Sequence, residues 1–128
     1  MTPVMESFGR VYGHRLSERF YEILLNADPR INALFQHTDF ARQRELFLHG
    51  LISLLDYAEG KASGQMAINR LGELHSRRRM NIAPEMFIVW VDCLMKTMAE
   101  LDPQFSPQLE ADWRRALGPG IDVIKQMY

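Results

Sequence analysis

The chain has 128 residues, 47% of them apolar, with 15 Lys and Arg against 16 Asp and Glu, for a formal net charge of −1. This fits one soluble globular domain and speaks against a dedicated nucleic-acid binder, which would carry a strong basic excess. No apolar run approaches the roughly 18 residues that a bilayer span needs, and "MTPVMESFGR" has neither the basic start nor the apolar middle of a signal peptide, so a cytoplasmic chain is expected. The lone Cys93 has no disulfide partner within the chain, and its apolar neighbours suggest a buried thiol.

Apolar residues recur at helical spacing almost throughout. A first segment from about Met5 to Ala27 places Phe8, Val11, Tyr12, Leu16, Phe20, Ile23 and Leu24 at three- and four-residue steps. "NADPR" stops it, because proline disfavours the helical conformation in the residue before it. Pro29 then suits the first turn of a short helix ending near Phe35. In "QHTDF", Thr38 or Asp39 can cap the next helix, from about Ala41 to Ala58. That helix carries Gln43, Phe47, Gly50, Leu51 and Leu54 on one face, widened by Leu46, Leu55 and Ala58. Gly50 there is expected to let this helix and the first cross closely. The polar loop "EGKASGQ" leads into a helix from about Met66 to Arg78, and "NIAPE" breaks the chain again. Pro84 opens a helix to about Leu101 with Phe87, Trp90, Val91, Leu94, Met95 and Met98 inward. Ser106 and Pro107 suit the cap and first turn of a last helix from about Gln108, which "GPG" at 118–120 should kink or end early. Nothing alternates with period two for long enough to be a strand. The expectation is an all-α protein of six or seven helices.

One stretch raises a chemical question. In "LGELHSRRRMNI", residues 71–82, His75 follows Ile68, Leu71 and Leu74 on roughly one face of a helix. Gln43, one turn ahead of Phe47, and Tyr21, at the edge of the first apolar stripe, are also polar groups on inward faces. A histidine on one helix facing a polar residue on another could enclose a flat apolar cofactor bound through its metal. Haem suits this: neutral imidazole supplies an axial ligand while apolar walls keep water from the ring. A single inward histidine is more often a hydrogen-bonded core residue, and spacing alone leaves both readings open. No second His or Cys stands at chelating spacing for a structural zinc.

"RFYEILLNADPRINALF", residues 19–35, resembles the stretch of bacterial haemoglobins and flavohaemoglobins that runs from the distal tyrosine to the haem-packing phenylalanine. "QRELF" resembles the start of the family's distal helix, and "LGELHS…NIAPEMF" its proximal helix and following turn. The resemblance implies a globin fold and haem b (iron protoporphyrin IX) as cofactor. It makes His75 the iron ligand, Tyr21 and Gln43 the distal pair, Phe35 the residue stacked on the porphyrin, and Leu46 and Phe47 the residues over the iron. Phe40, Leu71, Leu74, Ile82 and Phe87 would line the pocket, and Arg78 and Arg79, with Arg77, would pair with the propionates. The separation of 32 residues from Gln43 to His75 suits that assignment.

The departures matter too. The segment between Phe35 and Gln43 is short, and "HSRRRMNIAPEMF" is longer than in flavohaemoglobins. Phe87 falls near a tyrosine that those enzymes place behind the proximal histidine, and no residue carries over onto their glutamate there. Few residues precede the first aligned helix, so the usual N-terminal helix is expected to be short, missing or merged with the second.

His75 would then bind iron through one ring nitrogen, while the other donates to the Leu71 carbonyl or to Ser76. Donors from Tyr21 and Gln43 in a dry pocket would favour oxygen over carbon monoxide, which carries less negative charge when bound. The implied function is reversible binding of oxygen, and of nitric oxide or carbon monoxide, for transport or gas sensing. Nitric oxide dioxygenation would need a separate reductase, and sensing a signalling partner. The alternative is a globin-fold regulatory module without haem. A homodimer through the last two helices, where Trp90 and Trp113 lie, is open, and His14, His37 and His49 read as surface residues.

Overall fold

The computed structural model describes all 128 residues, the side chain of His14 excepted; among the described residues it contains seven α-helices and no strand. Helices α1 (Pro3–Val11) and α2 (His14–Ala27) divide the span in which apolar spacing predicts one helix. The break falls at Gly13, whose φ of +140° is a conformation that side-chain-bearing residues rarely adopt. The N-terminal helix is therefore short and separate, not merged with the second. It is capped by Thr2, whose side chain accepts the Met5 N–H at 3.1 Å.

Short-range capping chemistry sets the next two starts. Asp28 accepts the Arg30 N–H at 2.8 Å and opens α3 (Pro29–Leu34). Asp39, not Thr38, accepts from the Ala41 and Arg42 N–H groups and opens α4 (Phe40–Ala58). Helix α5 (Ala62–His75) starts four residues before the predicted Met66, within the polar "ASGQ". Gly64 makes this possible, since a Cβ there would sit 2.5 Å from the Tyr57 backbone nitrogen. The same helix stops at His75, short of the predicted Arg78.

Helix α6 (Met86–Leu101) leads to α7 (Pro107–Gln126), which Ser106 caps by accepting the Leu109 N–H at 3.1 Å. The "GPG" stretch does not end α7: Pro119 lies inside the helix. Gly120 is buried, and a Cβ on it would come within 2.7 Å of the Leu54 Cδ2 of α4. The close approach expected at Gly50 is absent, because nothing lies within 4 Å of a Cβ built there. Gly120 fills that role instead, at the contact of α7 with α4.

Helix α4 packs on α5 and α7, and α2 on α6. Leu16, Phe20, Leu51, Ile68, Leu94, Met98, Trp113 and Leu117 fill the fully buried centre, and Cys93 is buried beside them. Trp113 donates from Nε1 to the Ser7 hydroxyl at 3.0 Å. Trp113 is fully buried and offers no outer surface on α7.

Candidate functional site

Helices α2 and α4 bring two of the expected residues into contact: Gln43 Nε2 donates to Tyr21 Oη at 3.0 Å. Burial pushes the Tyr21 hydroxyl up to a pKa of about 12, against a smaller lowering by Gln43, so the phenol keeps its proton at neutral pH. Because Oη accepts from Gln43, that proton is available to a further acceptor. The Tyr21 ring meets Phe35 at 5.7 Å, Phe40 at 5.6 Å and Phe47 at 5.8 Å between centroids, all edge-on. Phe47 in turn stacks on Phe20 at 4.3 Å. Phe47 and Tyr21 are buried, whereas Phe35 and Phe40 are half-buried.

His75 is the last residue of α5 and is half-buried. Its Nδ1 lies 2.7 Å from the Leu71 carbonyl, which can only accept, so in the neutral tautomer this contact selects, Nδ1 carries the proton and the lone pair sits on Nε2. Ser76, the other candidate partner, donates to the Glu73 carbonyl at 2.7 Å. The His75 ring lies 5.9 Å from that of Phe87, and its backbone carbonyl accepts the Ile82 N–H at 3.0 Å.

Helix α6 joins the two groups. Phe87 touches His75, and Trp90, three residues on and so on the same helical face, meets Phe20 at 5.5 Å and Phe47 at 5.9 Å. Trp90 was legible only as an inward residue; its i, i+3 spacing from Phe87 is the signal that places it in this aromatic layer. Leu71 and Ile82 are half-buried against the core, while Leu46 and Leu74 are 49% and 41% exposed despite their apolar-face positions. Arg78 and Arg79 are exposed; Arg79 lies 3.6 Å from Glu73, and Arg78 has no ion pair among the described residues. His37 and His49 are exposed, as expected, and the side chain of His14 lies outside the described residues.

The arrangement offers one imidazole nitrogen with an available lone pair, a protonated phenol with a hydrogen to donate, and an apolar lining that links them. Among the described residues no group of three His, Cys, Asp or Glu gathers to hold a bare ion, so a metal at His75 would need its remaining ligands from elsewhere. No helix is long and apolar enough to cross a membrane.

The family model for globins matches residues 18–124. Flavohemoproteins of Bacillus thuringiensis subsp. konkukian (strain 97-27) and Bacillus anthracis are each 25% identical over 114 residues, 88% of this chain. The chain spans 28% of the length of each. A crystal structure of a Pseudomonas aeruginosa PAO1 protein, described as structurally highly homologous to a human hemoglobin, is 35% identical with a TM-score of 0.92. That match covers 98% of this chain and 95% of the other.

Proposed function

The chain belongs to the globin family, and on that premise we propose that it binds haem b through His75 and holds a diatomic gas beside Tyr21 and Gln43. The observation that carries this is the hydrogen bond from His75 Nδ1 to the Leu71 carbonyl, which leaves Nε2 as a lone-pair donor next to an apolar lining. Haem, when bound, would supply an iron that the His75 imidazole would hold and that would take up oxygen, nitric oxide or carbon monoxide.

The residues present fit the group. Leu46 and Leu74 are exposed leucines, and Phe35, Phe40, Leu71, Ile82 and Phe87 are half-buried. Together they supply apolar surface that a flat cofactor would take from water. Phe35 is the residue for stacking on its face, and Phe47, packed on Phe20, for closing the distal side. Arg78, without an ion pair among the described residues, is suited to a propionate; Arg79 must share itself with Glu73.

On the distal side, Gln43 orients the Tyr21 hydroxyl by donating to it, so that the phenol proton points to the ligand. A ligand with more negative charge gains more from that proton, which favours oxygen over carbon monoxide. Reversible binding requires no more than these residues; sensing would add a signalling partner, and nitric oxide dioxygenation would draw electrons from a separate reductase.

Titrating the purified protein with haem tests the reading. One equivalent taken up, with an intense violet absorption band that shifts under carbon monoxide, is the expected result. No uptake would defeat it and leave a globin-fold regulatory module.

A further inference from the structure

His75 terminates its helix, so no following helical turn fixes its backbone. A seven-residue turn does so instead. The Leu74 carbonyl accepts the Met80 N–H at 3.0 Å, that of His75 accepts the Ile82 N–H at 3.0 Å, and that of Ser76 accepts the N–H groups of Arg79 at 3.0 Å and Asn81 at 2.9 Å. Asn81 closes the turn at a φ of +54°, a left-handed conformation that asparagine tolerates better than most side-chain-bearing residues.

The end of α7 grips this turn from outside. Tyr128 Oη donates to Asn81 Oδ1 at 2.6 Å, and the Tyr128 carbonyl accepts the Arg77 N–H at 3.4 Å. The Arg77 guanidinium lies over the Tyr128 ring, 4.7 Å from its centre. One residue earlier, the Met127 sulfur packs on Gly72 so closely that a Cβ there would overlap it. Gly72 adjoins Leu71, whose carbonyl holds the His75 ring. Residues 127 and 128 thus touch the chain on both sides of the histidine.

We propose that Tyr128, Arg77 and Asn81 form a clasp that positions His75, fixing the backbone from which the imidazole projects. This rests on the reading of His75 as the iron ligand. Tyr128, Arg77 and Asn81 act through the turn: Asn81 precedes Ile82, whose N–H binds the histidine carbonyl. Arg77, which the sequence reading pairs with a propionate, lies over this ring.

Two measurements separate the clasp from its consequence. In the protein without haem, Tyr128→Ala should raise amide hydrogen exchange at Asn81 and Ile82 about tenfold, and Tyr128→Phe, which removes only the bond to Asn81, by less. In the ferrous haem-loaded protein, Tyr128→Ala and Arg77→Leu should shift the iron–imidazole stretching vibration and speed haem transfer to excess apomyoglobin several-fold. Ile124→Val, a core change on the same helix, should leave the vibration in place, which distinguishes a local effect from general loosening. Unchanged exchange at Ile82 in Tyr128→Ala would overturn the clasp. Faster exchange with unaltered vibration and haem transfer would overturn its positioning role. A wild-type chain that takes up no haem would defeat the site reading first, while the exchange measurement would still report the clasp.

Discussion

Two polar clusters in this molecule, each tied to a buried aromatic residue, differ in how much hydrogen-bonding capacity they leave open. Where α1 meets the α6–α7 turn, the buried Asp102 accepts from Ser7 Oγ at 2.6 Å, from Arg10 Nε and Nη2 at 2.8 Å each, and from the Gln104 N–H at 2.9 Å. Trp113 Nε1 completes the set on Ser7, so the cluster is saturated and holds three segments together. Between α2 and α4, Tyr21 accepts one bond from Gln43 and retains a proton; His75, at the end of α5, uses only Nδ1, on the Leu71 carbonyl. Saturation marks architecture, and the open capacity beside an apolar lining is where the proposed ligand would bind.

Breaking the saturated cluster should have the largest effect. Asp102→Ala removes the acceptor from Arg10, Ser7 and the Gln104 N–H, and should cost about 3 kcal/mol in urea unfolding. Haem uptake per folded molecule should not change; a loss below 1 kcal/mol would show that the corner does not anchor α1.

Acid should act on the same carboxylate next. Arg10, helped by Ser7 and Gln104 and opposed by burial, holds Asp102 down from 3.8 to about 2. A depressed folded-state pKa means stability that is complete above about pH 4 and lost as the pH falls toward 2. Roughly 2 kcal/mol should disappear across that window. The urea midpoint of Asp102→Asn should be flatter there, and an equal slope in wild type and variant would contradict the assignment.

The open cluster should answer differently. Tyr21→Phe and Gln43→Leu should leave unfolding nearly unchanged but speed oxygen dissociation from the haem-loaded protein about two- to tenfold each, the worth of one buried neutral hydrogen bond. Stopped-flow release measures this, and no acceleration in either variant would remove the distal pair from the account.

The contrast also explains what the sequence could and could not reveal. Capping by Asp28, Asp39 and Ser106 is local, and the sequence placed α3, α4 and α7 within a residue or so of where they start. Tyr21 and Gln43 were legible as polar residues on inward faces. Arg10 and Asp102 were not, because 92 residues separate them and neither stands out among its neighbours. Gly13 was hidden by the apolar spacing that continues across it, and Gly64 by a polar stretch that reads as loop. Gly50 misled for the opposite reason: its position on the apolar face suggested a crossing, but no neighbour approaches it. Gly50→Ala should therefore stabilise α4 by about 0.5–1 kcal/mol, the smallest of these effects, and a destabilisation in thermal unfolding would reinstate the crossing.

The proposed bond between the His75 imidazole and a haem iron is tested most directly by taking the ring away and giving it back. Haem-loaded His75→Gly should lose the visible spectrum of the wild type, and added free imidazole should restore it by occupying the vacated position. A variant that keeps the wild-type spectrum without imidazole would contradict His75 as the ligand.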